Sequence, residues 1–345
     1  MRAYSKTIVG LILSVLLLAW ALRDVSLAEV ASELGQADLL LLTAATVITI
    51  LGMAIRAVRW GVLLIPAAPG IPFRPRFAST VIGFAANNIL PARIGELARA
   101  YALGHLTRAT VGAALAALVV ERILDGIVLV ALLFGAMATP GFPDTGPIAG
   151  VDPQRAAAVV AFLMGGAGLV LFALVIAPKM SLRVGAMVTS PLPDRFADPI
   201  MRGIGSFLSG LESLRSGRIF LASVLLAAGQ WIFLALSFQL AFRAFGIYQV
   251  PFVGGVFLQS LISLAVAIPS SPGFFGPFEA AATVGLALWE VTPEKAVSFA
   301  VGFHLAGFIP ITLMGFYYVW RFGMKWSDVR RVEEKIDDEQ PLPNV

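Results

Sequence analysis

The chain has no cysteine and only two histidines, His105 and His304, among its 345 residues. Without cysteine it forms no disulfide, holds no metal through thiolates and has no cysteine nucleophile. Two imidazoles are too few for a zinc or di-iron cluster. The sequence therefore predicts neither a metal site nor a cofactor.

Charge is scarce as well. Charged residues make up 13% of the chain and hydrophobic residues 58%, whereas soluble domains contain about 25% charged residues. A water-soluble fold cannot bury this much apolar surface. The net charge of +4 is too small to indicate nucleic-acid binding. The composition predicts an all-α polytopic membrane protein, which is surrounded by membrane lipids.

Long apolar runs are abundant, and a transmembrane helix needs about 20 such residues. Six segments qualify, at approximately 7–22, 39–65, 110–139, 156–177, 219–242 and 296–320. Two further apolar regions, 77–103 and 251–289, are interrupted near the middle by proline and glycine. The sequence therefore predicts about six full spans and two broken-helix elements within a single domain, residues 1–324.

Loop charges predict the orientation, because cytoplasmic loops are enriched in lysine and arginine. Arg2 and Lys6 place the N-terminus on the cytoplasmic side. The six basic residues of segment 178–218 place that loop on the same side. The same distribution of basic residues predicts that both interrupted regions are re-entrant hairpins, which enter from opposite sides of the membrane. The halves, about 1–139 and 156–320, then form an inverted repeat, which is a recurring transporter design. Eight full spans are the alternative.

Two segments near the cytoplasmic side are not spans. Apolar residues recur at helical spacing between Arg195 and Arg215 while charged residues occupy the other side. This pattern predicts an amphipathic helix on the inner membrane surface. The tail, residues 325–345, is charged and then rich in proline, and we expect it in the cytoplasm together with the N-terminus.

The first interrupted region carries two asparagines, a proline and three charged residues: Asn87, Asn88, Pro91, Arg93, Glu96 and Arg99. Irregular backbone at membrane depth needs protein or water to satisfy its polar groups, so we expect this stretch to line a polar cavity. A half-helix that starts near Pro91 would point free N–H groups into the membrane. Arg93, Glu96 and Arg99 are spaced three residues apart, which predicts a phosphate clamp in which Glu96 holds the two guanidinium groups in place. A salt-bridge ladder at the interface is the alternative.

Three charged residues, Glu121, Arg122 and Asp125, lie near the middle of segment 110–139. Each costs roughly 2.5–3.5 kcal/mol at the centre of a membrane helix, so we expect all three side chains to face the protein interior. Arg122 can pair with Asp125 at a spacing of three. They form either a functional site or a bridge that holds the helix bundle together.

The second interrupted region has its own candidate residues. Ser270 and Ser271 are potential helix caps, and Glu279 falls in the first turn of the following half-helix, where a negative charge suits the helix dipole. A Glu279 carboxylate that faces Arg93 or Arg122 would lock the two hairpins together. A simple kinked helix is the alternative.

Three other polar residues interrupt apolar segments, and each has two interpretations. Arg56 and Arg59, near the inner end of the second span, either contact lipid phosphates or anchor the helix by snorkelling. His304, on the last span, either exchanges a proton or is a packing residue.

Three motifs occur in a characteristic order. They are N-x-x-P-x-R-x-G-E-x-x-R from Asn88, E-R-x-x-D from Glu121, and P-x-x-P-G-x-x-G-x-x-E from Pro269. Together they resemble the transmembrane region of lysylphosphatidylglycerol synthases and its stand-alone relatives. The resemblance covers nearly the whole chain. It implies a flippase-like protein of a bacterial or archaeal cytoplasmic membrane.

The resemblance also bears on catalysis. In the two-part synthases a soluble C-terminal domain transfers the aminoacyl group, and this chain ends soon after its last apolar segment, so the resemblance implies a transporter rather than an enzyme. Some stand-alone relatives belong to hopanoid or polyprenol-glycolipid pathways, so the substrate does not carry over.

The sequence as a whole predicts a lipid translocase in which an anionic headgroup enters a polar cavity between the hairpins while the tails stay in lipid. The residues expected to hold the phosphate are Arg93, Arg99 and Arg122. The acidic residues expected to orient them, or to couple movement to protons, are Glu96, Glu121, Asp125 and Glu279. Two other functions stay open: an ion- or proton-coupled transporter of a small polar solute, and a headgroup-modifying enzyme with a carboxylate as general base. The sequence leaves the lipid, the direction, the energy source and homo-oligomer formation undetermined.

Overall fold

The computed structural model describes residues 14–23, 25–90, 94–143, 176–190, 193–211, 215–267 and 271–324, with residue 12 and scattered positions between 159 and 174. Several predicted features fall outside the described residues: Pro91 and Arg93, Pro269 and Ser270, most of segment 156–177, the start of segment 7–22, and the tail.

The described residues form helices, which we number in chain order. They are α1 (Leu27–Gln36), α2 (Leu39–Leu64), α3 (Phe73–Ile89), α4 (Gly95–Leu106), α5 (Val111–Met137), α6 (Pro178–Thr189), α7 (Asp194–Gly210), α8 (Gly217–Ala244), α9 (Phe252–Ala265), α10 (Pro277–Ala287) and α11 (Pro293–Arg321). Residues 14–22 are helical as well. A 3₁₀ turn, Pro272–Phe274, precedes α10.

Three of these helices, α2, α8 and α11, are long and apolar enough to cross a membrane. They coincide with the predicted segments 39–65, 219–242 and 296–320. Helix α5 coincides with the predicted segment 110–139 and has 27 residues, but it carries the three central charges. The predicted all-α membrane fold is confirmed at this level.

Both predicted interruptions are present. Helix α3 ends at Ile89 and α4 begins at Gly95, where the backbone N–H of Gly95 donates to the side-chain oxygen of Asn87 at 2.8 Å. A Cβ atom on Gly95 would collide with the backbone of Gly83 and one on Gly83 with α4, so α3 and α4 pack backbone to backbone. In the second region, α9 ends at Ala265 and α10 begins at Pro277.

Helix α1 lies between the predicted spans 7–22 and 39–65. The Ser26 side chain caps it by accepting from the N–H of Glu29 at 3.4 Å. The Ser298 hydroxyl of α11 donates to the carbonyl of Val30 at 3.3 Å. The segment is therefore a helix packed on α11. Asp38, which follows it in the chain, is the N-cap of α2.

The two largest apolar cores among the described residues join different sets of helices. Phenylalanines of α8 and α11, such as Phe242 and Phe299, build one core with α9 and α10. The other joins α2, α4, α5 and α7. Helix α7 covers most of the predicted amphipathic segment, and its Leu208 is buried in this second core. Its position on the membrane surface stays a prediction. Part of the apolar face of α7 therefore packs on protein.

Candidate functional site

Five charged side chains are buried together where α2, α4 and α5 meet, and each is at most 4% exposed. We call them the charged cluster: Arg56, Arg59, Arg99, Glu121 and Asp125. Helix α2 supplies the first two arginines one turn apart, and α5 supplies the two acids one turn apart. This spacing puts each pair on one face of its helix.

Glu121 is the centre of the charged cluster. Its Oε1 accepts from Nη1 of Arg56 and from Nη1 of Arg99, both at 2.8 Å. Its Oε2 accepts from Nη2 of Arg99 at 3.2 Å, so Arg99 makes the two-pronged contact for which guanidinium is suited. Nη2 of Arg59 lies 3.6 Å from Oε1. Three guanidinium groups therefore contact one carboxylate.

Asp125 joins the charged cluster to helix α8. Its Oδ2 accepts from Nη1 of Arg56 at 3.0 Å, and its Oδ1 accepts from the indole N–H of Trp231 at 2.9 Å. Nη1 of Arg59 lies 2.6 Å from the same Oδ1, although no nitrogen of Arg59 makes a well-aligned hydrogen bond. The amide oxygen of Gln230, once turned toward Arg56, accepts from it at 3.1 and 3.2 Å.

Aromatic rings cover the guanidinium groups. The Arg99 guanidinium lies 4.1 Å from the centre of the Trp60 ring, and that of Arg56 lies 5.5 Å from Trp231 and 5.6 Å from Phe84. Planar guanidinium stacks on such rings better than ammonium does. The rings therefore replace part of the water that these cations lose on burial.

The charged cluster has an excess of positive charge. Three guanidinium groups face two carboxylates, so one formal positive charge remains among the described residues. Each of the four carboxylate oxygens has a partner within 3.2 Å. Charges this deeply buried persist only when they are paired, so removal of either acid is costly.

Arg122 lies outside the charged cluster. Its Nη2 is 2.9 Å from Oε1 of Glu96, and the two side chains are 43% and 31% exposed. The expectation that Arg122 faces inward and pairs with Asp125 is wrong. Two members of the predicted phosphate clamp are not paired with each other, since Arg99 pairs with Glu121 while Glu96 pairs with Arg122. The remaining member of the clamp, Arg93, lies outside the described residues.

Glu279 pairs with a histidine and not with Arg122. Its Oε1 lies 2.7 Å from Nδ1 of His304, and the residues are 1% and 9% exposed. Its Oε2 accepts from the N–H of Gly276 at 2.6 Å, which caps α10. The imidazole stacks on Phe278, with ring centres 4.2 Å apart.

A cavity of about 250 Å³ lies between α2, α3, α8, α9 and α11. Aromatic and aliphatic side chains form most of its wall, and Trp231 is among them. Its polar lining consists of Thr49, Asn88, Ser237, Gln259, Ser263 and His304. The buried Oε1 of Gln259 has no hydrogen-bond partner. Trp231 connects the cavity to the charged cluster, and His304 connects it to Glu279.

The remaining predicted site residues hold the interrupted regions in place. The Asn88 amide donates to the Thr312 hydroxyl at 2.9 Å, so it links α3 to α11. The Ser271 N–H donates to the hydroxyl of Ser14 at 2.9 Å. Asn87 holds the start of α4. The structure thus places Arg99, Glu121 and Asp125 in the charged cluster, Glu96 and Arg122 in the exposed pair and Asn88 in the cavity wall, while Asn87, Ser271 and Glu279 hold the interrupted regions.

The sequence interpretation missed the role of Arg56 and Arg59. Both are buried and pair with acids, so neither snorkelling nor contact with lipid phosphates describes them. A signal was available, because two arginines on one face of an apolar helix match two acids on one face of another. No such signal marked Trp231.

Comparisons with known proteins agree with the resemblance seen in the sequence. The family described as lysylphosphatidylglycerol synthase TM region matches residues 7–315. A protein named glycosyltransferase AglD, from Haloferax volcanii, is 31% identical over an alignment of 324 residues that covers 86% of this chain and 51% of that relative. The chain therefore spans about half the length of that relative.

Two further relatives match over almost their whole length. A UPF0104 membrane protein of Methanocaldococcus jannaschii is 23% identical over 90% of this chain and 94% of its own. Another, from Methanothermobacter thermautotrophicus, is 24% identical over 94% of this chain and 97% of its own length. No solved structure matches. The chain belongs to the family of the lysylphosphatidylglycerol synthase transmembrane region.

Proposed function

We propose that this protein carries a lipid with an anionic headgroup between the leaflets of a cytoplasmic membrane. The observation that carries the proposal is the exposed Arg122–Glu96 pair. Arg122 is the twelfth residue of α5, which is 27 residues long, so it lies about 17 Å from one end of a helix about 40 Å long. Exposed charges at that depth cannot face hydrocarbon without a large cost. They are suited to a groove that holds water or a polar headgroup.

The charged cluster supports an anionic ligand. Glu121 of the charged cluster is the neighbour of Arg122 in the chain. The charged cluster has one uncompensated positive charge, which acts through a medium of low dielectric constant. In the proposed mechanism Arg122 and Arg99 contact or attract the phosphate, as does Arg93 from outside the described residues. Glu96, Glu121 and Asp125 hold the arginines in position.

The lengths of the broken helices support re-entrant hairpins. Helices α3 and α4 have 17 and 12 residues, and α9 and α10 have 14 and 11. Each is shorter than the roughly 20 residues that cross a bilayer. We therefore extend the proposal to two hairpins that enter from opposite sides within inverted halves of one domain, with both termini in the cytoplasm.

Transport accounts for the site better than catalysis does. Every carboxylate oxygen of the charged cluster is held by arginine or by Trp231, which leaves none free as a general base. The mostly apolar wall of the cavity favours a lipid over a small polar solute. The glycosyltransferase name belongs to a relative matched over half its length and does not alter this proposal.

The test is a leaflet-exchange assay in liposomes that contain the purified protein and a fluorescent phospholipid or polyprenyl phosphate, with chemical quenching of the outer leaflet. Arg122→Gln removes a charged contact of about 1.5–3 kcal/mol, so it should slow exchange of an anionic lipid roughly ten- to hundredfold. Arg108→Gln, an exposed arginine on the loop before α5, is the matched control and should exchange lipid at the wild-type rate. Equal rates for Arg122→Gln and wild type, or no exchange by wild type with either lipid, would refute the proposal.

A further inference from the structure

We infer that α6 and the groove beside it bind one anionic lipid, at a site made of other residues than those proposed for translocation. The hydrocarbon chain of this lipid lies in the groove, and its phosphate lies against Lys179 and Arg183. Segment 178–218 is predicted to face the cytoplasm, so the lipid belongs to the cytoplasmic leaflet. The site holds a lipid in place and does not depend on translocation.

Helix α6 begins at an interruption of the backbone and packs on α7. Ala177 has φ −118° and ψ 54°, which are not helical values, and Pro178 is the first residue of α6. Proline suits that position because the first N–H groups of a helix have no partner within it. A Cβ atom on Gly185 would lie 2.9 Å from the side chain of Ile204, so the two helices are in close contact there. One side of α6 is therefore fixed against α7.

Another side of α6 exposes an apolar stripe, which consists of Met180, Val184, Met187 and Val188. These side chains are between 51% and 75% exposed, and their helical spacing puts them on one face. Apolar residues scattered singly are ordinary on a protein surface, whereas a contiguous stripe marks contact with a partner or a membrane. In a membrane protein the hydrocarbon of the bilayer is the apolar phase at hand, so we assign the stripe to contact with lipid.

Two basic side chains lie beside the apolar stripe. Lys179 and Arg183 are both exposed and are one turn apart, so they share a face that adjoins the stripe. Helix α6 contains no acidic residue, and segment 178–218 has six basic residues against three acidic ones. Lysine and arginine in such a place rest their stems on hydrocarbon and extend the charge to lipid phosphates. The charge therefore selects an anionic lipid over a neutral one.

A groove of about 500 Å³ lies between α6, α7 and the residues that precede α6. Among the described residues that line it, Ser181 alone has a polar side chain, and its hydroxyl donates to the carbonyl of Ala177 at 3.1 Å. An apolar cavity of about 150 Å³ already holds benzene, so this groove has room for a segment of a lipid chain. Met180 and Val184 belong to both the groove and the apolar stripe, so the chain and the basic side chains meet at α6.

The absence of cysteine allows a test that reports on α6 alone. Met187→Cys gives the protein a single thiol on the apolar stripe, and Ile309→Cys gives one on the exposed apolar surface of α11. Each thiol carries a fluorophore, and the protein is placed in nanodiscs of phosphatidylcholine. A minor fraction of the lipid is phosphatidylglycerol or phosphatidylcholine with brominated chains. Bromine quenches fluorescence at close approach, so the quenching shows which lipid resides beside the label.

Brominated phosphatidylglycerol should quench the label at position 187 at least about fivefold more strongly than brominated phosphatidylcholine does. The label at position 309 should be quenched equally by the two lipids. Lys179→Gln together with Arg183→Gln should abolish the difference at position 187. Arg108→Gln, an exposed arginine on another loop, is the matched control and should retain it.

The groove has its own pair of variants. Ala173→Trp fills the groove and should reduce the difference at least about twofold, because the chain loses its apolar contacts. Gly166→Trp, in the same segment but outside the groove lining, should leave the difference unchanged.

Three results would overturn the inference: equal quenching by the two lipids at position 187, a difference that survives loss of both basic side chains, or a difference that Ala173→Trp leaves unchanged. The substituted side chains are exposed, so the variants are expected to fold, and thermal unfolding checks this. A clear difference at position 187 in a protein that exchanges no lipid would refute the proposed function and leave this site standing.

Discussion

Replacing Glu121 with glutamine keeps the shape of the side chain and removes its charge. Three guanidinium groups lie within 3.6 Å of this carboxylate, and the residue is fully buried. After the substitution the charged cluster has three cations and one acid. The glutamine amide also directs N–H donors at arginines that can only donate.

The size of the effect follows from burial. Removing one partner of a buried ion pair costs about 3–5 kcal/mol because the remaining charge stays buried without compensation. Glu96→Gln makes the same chemical change in a partly exposed pair, where the expected loss is only about 0–1 kcal/mol. Glu121→Gln should therefore reduce the free energy of unfolding by at least about 2 kcal/mol more than Glu96→Gln does.

The assay is reversible unfolding in mixed micelles or steric trapping in bicelles, with both variants and wild type measured together. Arg99→Met in the Glu121→Gln background adds a second check. Because Arg99 would already lack its acid, the double variant should be less destabilised than the sum of the single variants, with a coupling of about 0.5–3 kcal/mol. Equal losses for Glu121→Gln and Glu96→Gln, or strict additivity with Arg99→Met, would refute the reasoning.

Two further predictions use the same unfolding measurement. Gly95→Ala places a methyl group against Gly83 and should reduce the free energy of unfolding by about 1–3 kcal/mol. The control Gly229→Ala, whose methyl group meets open space on α8, should raise it by up to about 1 kcal/mol. Equal effects of the two substitutions would exclude close packing of α3 on α4. Trp231→Phe removes the indole N–H that Asp125 accepts and should cost about 1.5–3 kcal/mol; an unchanged stability would show that this bond does not form.

The interruptions of the helices were predictable because proline and glycine act on the backbone locally. The breaks after Ile89 and Ala265 follow from residues within a few positions of each break. The burial of Glu121 and Asp125 was also predictable, because a charge in the middle of an apolar helix must find a partner. Both inferences need only one segment of sequence.

The partners of these charges were not predictable in the same way. Successive residues of an α-helix are turned by about 100°, so Glu121 and Asp125 share a face that Arg122 does not, and inward placement of all three was geometrically inconsistent. Arg56 and Arg59 were misread because one segment does not reveal which face of α2 meets α5. That information lies in the packing of helices far apart in sequence.

The charged cluster has a consequence for how the chain enters the membrane. Arg56 is made 65 residues before Glu121, its partner, so α2 emerges with two unmatched cations, each costing roughly 2.5–3.5 kcal/mol in lipid. Helix α5 brings two acids and a single arginine, a net charge of −1 that offsets one of the two positive charges of α2. The two are therefore suited to leave the insertion machinery as a pair, with α2 kept at its lateral exit until α5 has been synthesised.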